Sequence, residues 1–129
     1  MDWIINFLKQ EGIVTVKNTG TLTDAEENRK MTAEALAAAE KHNSTKCLID
    51  NRDLNLEMKT IDVYDVPDVL GEVGVPRNYK VAIIISESLQ DTKGFRFYET
   101  RAFNKGFNHR LFTDFDTALD WLTDREPEE

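Results

Sequence analysis

The chain has 129 residues, 40% hydrophobic and 31% charged, which fits one globular domain long enough to bury a core. Its 16 basic and 24 acidic side chains leave a net charge of −8, which argues against a duplex nucleic-acid binder and gives no general attraction to anionic lipid. A single cysteine, Cys47, excludes an intramolecular disulfide and a thiolate metal cluster.

"DWIINFLKQEGIVTVKNTG" reads as two strands joined by a turn around Gln10–Gly12, with Trp3, Ile5 and Phe7 on one face and Val14 and Val16 alternating with polar residues. "TDAEENRKMTAEALAAAEKH" is the clearest helix. Thr23 and Glu26 have capping-box spacing, and Met31, Ala35, Ala38 and His42 recur at helical period, an alanine-rich stripe suited to close approach on a sheet. "KCLID" and "YKVAIIIS" are apolar runs without alternation, as strands covered on both faces require, and Cys47 in the first reads as a buried, inert thiol. Between them "TIDVYDVPDVLGEVG" is helical from Thr60 and is bent or restarted by Pro67. In "QDTKGFRFYETRAFNKG" the inner face is Phe95, Tyr98 and Ala102, and Gly106 supplies a left-handed stop. "HRLF" is the last strand, and Asp114 caps a closing helix with Phe115, Ala118, Leu119 and Leu122 inward.

The order is therefore β-β-α-β-α-β-α-β-α: an α/β single domain over 1–129 with an N-terminal hairpin, about four helices and a mixed, mostly parallel five-stranded sheet. Residues 123–129 form a frayed acidic tail. The start "MDWIINFLKQEG" lacks a secretory signal, and no window approaches the ~20 apolar residues of a bilayer span, so the expected location is cytoplasmic.

Ligands of open α/β sheets sit beyond the carboxyl ends of the parallel strands, which gathers Asn18 to Thr21, Asp50 to Asp53, Ser86 to Ser88 and Thr113 to Asp114 along one rim. Asp50, Asn51, Arg52, Asp53 and Ser86 form the candidate polar pocket there. The plainer alternative is that these groups pair with each other and cap helices. Neither His42 nor His109 has metal-ligand spacing, and Asp62, Asp65 and Asp68 lack the pattern of a calcium loop. No nucleophile, base and orienting acid can be assembled from spacing, so no cofactor, metal or catalytic residue is expected. On the third helix Phe97, Arg101 and Lys105 follow an i, i+4, i+8 row, an aromatic among cations suited to a partner's acidic or aromatic groups.

The hairpin leading into "GTLTDAE", then "CLIDNRDL", "YDVPDVL", "YKVAIII", "FRFYETRAFNKG" and "HRLFTDFDTALDWL" together resemble the SpoIIAA-like bacterial proteins, relatives of the STAS domain that are often grouped with CRAL-TRIO lipid-binding proteins. The resemblance spans roughly residues 3 to 122. It implies a helix-flanked sheet without catalytic machinery, acting by binding a partner. STAS domains of the anti-sigma antagonist type are switched by phosphorylating a serine after the third strand. The corresponding stretch here, "DNRDLNLEMKTID", has no serine, and Thr60 is its only hydroxyl. The CRAL-TRIO side implies instead an apolar ligand in a partial groove near Tyr64, Val69, Leu70 and Phe97.

The favoured expectation is a non-enzymatic, STAS-like regulatory module that binds a protein partner or itself without the phosphoserine switch. The alternative is a carrier or sensor of a small apolar, lipid-like ligand, and a third reading is an enzyme using Asp50, Arg52 and Ser86.

Overall fold

The computed structural model describes residues 1–57, 68–87 and 89–124. Strands β1 (Asp2–Leu8) and β2 (Ile13–Leu22) form the hairpin, followed by α1 (Ala25–Lys41), β3 (Lys46–Leu56), a helical stretch α2 over 68–73, β4 (Lys80–Ile84), α3 (Leu89–Asn104), β5 (Asn108–Phe112) and α4 (Phe115–Leu122). The sheet order is β1-β2-β3-β4-β5, antiparallel between β1 and β2 and parallel elsewhere. This is the expected α/β architecture. Thr60, Asp62, Tyr64, Asp65, Pro67, Ser88, the residues 125–129 and the side chain of Phe95 lie outside the described residues.

The hairpin turns where Gly12 takes φ +70°, a left-handed conformation that costs glycine nothing, and its N–H closes on the Leu8 carbonyl at 2.8 Å. The helix α1 begins one residue later than the capping-box spacing suggests. Asp24, rather than Thr23, is the cap, its carboxylate accepting the Glu27 N–H at 3.1 Å. The stripe shifts in the same sense: Met31, Ala35 and Ala39 are buried, while Ala38 packs at the edge. His42 closes the helix through its N–H to the Ala38 carbonyl and stacks on Phe7 at 4.0 Å.

Period-two alternation sends side chains of each strand to opposite faces, and the two faces are built differently. On one, Val14, Val16, Cys47, Val81 and Ile83 meet Met31, Ala35, Ala39, Leu70, Tyr98 and Ala102 from α1, α2 and α3. On the other, Ile13, Leu48, Ala82 and Ile84 are sealed by Ala118 and Leu122 of α4 alone. Asp114 caps α4 as expected, taking the Thr117 N–H and hydroxyl at 2.8 Å each. At the end of α3, Gly106 at φ +85° lets the Phe107 N–H return to the Ala102 carbonyl at 3.0 Å, the left-handed stop.

Candidate functional site

The octapeptide "LIDNRDLN" is strand throughout, because β3 runs on to Leu56 alongside β2. It is not a loop beyond the strand. Lys17 pairs with Asp50 and Thr19 with Asp53, so two steps along β2 face three along β3, and the surplus residue makes a bulge. The bulge resets the alternation. Asn51 still follows Cys47 and Ile49 inward and is buried, whereas past the bulge Leu54 takes the inner side and Asp53 joins Asp50 on the outer face with Lys17, which bridges the two carboxylates at 3.3 and 2.8 Å.

The outer group is self-satisfied. Arg52 holds Asp50 bidentately, Nε to Oδ1 at 3.0 Å and Nη2 to Oδ2 at 2.8 Å, and its backbone N–H adds a third bond at 3.1 Å. Partial burial would raise the Asp50 carboxyl, but these bonds and the Lys17 ammonium outweigh it and hold the pKa at about 2. Asp114 feels the Arg52 charge, so part of the expected rim does converge. Four groups that neutralise one another offer neither a free base nor a free acid. Ser86 lies half-buried two residues beyond β4. On α3 the cations brace α2: Arg101 and Lys105 both engage Asp68, the first at 3.9 Å. Phe97 is 42% exposed and Phe103, which the sequence reading passed over, is 75% exposed.

The core face holds a partly open cavity of about 100 Å³ between the sheet, α1 and α2. Its wall is mainly apolar, from Met31, Ala35 and Leu36 on α1 to Ile49, Leu54, Val81 and Ile83 on the sheet and Leu70 on α2. Ala35 and Ala39 of α1 are among the residues that line the cavity from the helix side. Half-buried Asn28, Thr32 and Tyr79 also line it, and fully buried polar groups enter the wall at two corners. Asn18, 1% exposed, donates its amide to Asn51 Oδ1 at 2.8 Å and leaves its own Oδ1 without a partner among the described residues. At the other corner His109, 8% exposed, shares a 2.6 Å bond between Nδ1 and the Tyr98 hydroxyl, and its Nε2 is unpartnered among the described residues.

Burial fixes the charge states here. It lowers the His109 imidazole to about 4, raises the Cys47 thiol to about 12 and raises the Tyr98 phenol, so all three are neutral at neutral pH. The imidazole nitrogen is a better acceptor than a phenol oxygen, so Tyr98 donates to Nδ1 and Nε2 carries the proton. Asn51 and Asn18 were both placed on the expected rim, but their inward pairing was not anticipated and the Tyr98–His109 corner was not singled out; Asn18 follows Val14 and Val16 at period two, a polar residue where the inward register demands an apolar one. His109 stands in the same relation to Leu111.

A fold of this order, an antiparallel hairpin opening a parallel sheet with helices on both sides, is SpoIIAA-like. The chain matches a solved structure described as an uncharacterized protein from the DUF3478 family with a SpoIIAA-like fold from Shewanella loihica PV-4, with TM-score 0.55 and 24% identity over 94% of this chain and 92% of that one. No family model matches the chain, and no curated protein does. Among the described residues no helix is long and apolar enough to cross a membrane, and no three or more His, Cys, Asp or Glu side chains are grouped to hold a metal.

Proposed function

We propose that the protein is a non-enzymatic binding module whose core-face cavity holds a small, mainly apolar molecule, as a carrier or sensor. The observation that carries this reading is the cavity itself, an apolar-walled space of about 100 Å³ beside the alanine stripe of α1. It is smaller than the several hundred Å³ of sites for drug-sized ligands, so the occupant is small. The saturated Asp50–Arg52–Lys17 group speaks against chemistry at the rim, and a non-catalytic role is part of the same proposal.

Native mass spectrometry of the protein purified from cells, before and after extraction with organic solvent, tests it. Supporting results are a small adduct released by solvent, or saturable binding of small apolar probes that Ala35→Leu abolishes. A protein that takes up no such probe, with Ala35→Leu folded and indistinguishable in every titration, overturns the reading.

A second reading, docking of a protein partner without a phosphoserine switch, is favoured by Phe97 and Phe103 on α3, which expose aromatic surface where an isolated fold gains nothing from it. With Arg101 and Lys105 committed to Asp68, the aromatic rings rather than the cations would make the contact. Replacement of both rings by serine should abolish self-association or capture of a defined partner; a strictly monomeric protein whose partner binding survives the change discards this reading.

A further inference from the structure

From the polar atoms in the cavity wall we infer the chemical class of the occupant: an uncharged aliphatic molecule bearing a hydroxyl, which donates its proton to Asn18 Oδ1. This rests on the cavity being a ligand site, as proposed above.

Three observations lead there. The described wall contains no Lys, Arg, Asp or Glu, and His109 is neutral, so nothing compensates a buried charge. A carboxylate or phosphate moved into such a site loses its hydration without gaining a counter-ion, a penalty far larger than any apolar contact in a space this size returns. Anionic lipids are therefore excluded at the site, although they are the commoner amphiphiles. Next, the unpartnered atom is an acceptor held in place. The Asn18 amide cannot rotate without breaking the bond from Nδ2 to Asn51 Oδ1, and Asn51 is fixed inward by its place after Cys47 and Ile49 on β3. A buried amide oxygen with no donor costs free energy, and a ligand hydroxyl removes the cost, whereas an ether, an ester or a carboxylate brings only further acceptors against it.

The two corners do not act as one anchor. Val14, Cys47, Val81 and His109 lie in one register row across four strands, and Asn18 is four residues beyond Val14, which separates the corners by roughly 20 Å. A compact ligand meets one of them. His109 also borders the open groove beside β5 formed with Glu99, Thr100 and Phe103, whereas Asn18 is enclosed, so the Asn18 corner is the anchor.

The test compares n-hexanol, its isomer methyl pentyl ether and hexanoate at neutral pH by NMR titration of the intact chain, following the side-chain amides of Asn18 and Asn51. The expected result is that hexanol binds about tenfold tighter than the ether, the size of one buried hydrogen bond, and tighter still than hexanoate, with the Asn18 amide among the shifted signals. In Asn18→Leu the preference for alcohol over ether should vanish while the ether still binds. Should that variant fail to fold, the wild-type ranking decides alone. Equal or tighter binding of hexanoate or ether overturns the inference, as does hexanol binding that leaves the Asn18 amide unmoved, which would assign that oxygen to an internal water. If none of the three probes shifts any signal of the cavity wall, the cavity reading itself fails, and this inference with it.

Discussion

The two faces of one sheet have been solved by opposite strategies. Beneath α4 the fit is complete: Ile13, Ile84, Ala82, Ala118 and Leu122 are all fully buried, and the short helix covers only the middle of the sheet. Beneath α1, α2 and α3 more helix covers more strand, yet a void remains and polar side chains look into it. Greater coverage with poorer filling means that the core face is not optimised for stability alone. The small face is filled by its side chains, and the large face keeps the space in which the proposed ligand would sit.

Deleting equal side chains on the two sides is the most direct way to break that comparison. Leu122→Ala removes a leucine with neighbours on every side and should cost about 3–5 kcal/mol in urea unfolding, the upper part of the range for such changes. Leu70→Ala, which borders the existing cavity, forfeits fewer contacts and should cost at least about 1 kcal/mol less. Equal costs would mean that the core face is packed as tightly as the other.

Acid separates the faces next. The folded pKa of His109, about 4, lies below its ordinary 6.5, so the unfolded chain binds the proton more readily. Its contribution is complete above about pH 6.5 and is lost as pH falls toward 4, to the extent of up to about 3 kcal/mol. On the outer face Asp50 is held at about 2 against 3.8, so its contribution persists down to the ordinary carboxylate range and is lost only as pH falls from there toward 2. Stability should thus decline in two stages, the core face first. His109→Phe should flatten the upper stage and leave the lower one; a decline that is unchanged in that variant would show that the imidazole is not what titrates.

Filling the void is a smaller effect with the opposite sign. Ala35→Leu places three carbons into the cavity and should leave stability unchanged or raise it by about 1 kcal/mol, while removing small-molecule binding. A loss of more than about 2 kcal/mol would show that the space is narrower than its walls indicate.

What could be read in the sequence follows from the range of the interactions involved. The hairpin, the unalternating runs "KCLI" and "KVAII" and the stripe of α4 are local patterns, and each became the element expected. The bulge was not legible, because it exists only in the pairing of Lys17–Thr19 with Asp50–Asp53, and without it the alternation that places Cys47, Ile49 and Asn51 inward would put Asp53 rather than Leu54 on the inner face. The cavity was illegible for a related reason. Its wall is made by Ala35 and Ala39 of α1, Leu70 of α2 and Ile49, Val81 and Ile83 of the sheet, which lie far apart in the chain and meet only in the fold. Chain position suggested that Asp50, Arg52, Asp53 and Asp114 share a rim, with mutual pairing as the plainer alternative; it could not reveal that Lys17 joins from β2 and balances Asp50, Arg52 and Asp53, which makes that part of the rim a clasp between β2 and β3.

That clasp gives the smallest and most easily screened effect. Lys17 and Asp53 are 35% and 69% exposed, so water shields the 2.8 Å pair and ordering the lysine side chain offsets part of the attraction. A double-mutant cycle of Lys17→Met and Asp53→Asn should return a coupling of about 0.5 kcal/mol or less, falling further in high salt. The Lys17–Asp50 pair, in which the carboxylate is only 13% exposed, should couple more strongly and lose less of that coupling to salt. If both cycles gave the same small, salt-sensitive value, Asp50 would be a solvated surface charge, and the contrast between a yielding core face and an outer face locked at the bulge would lose its electrostatic half.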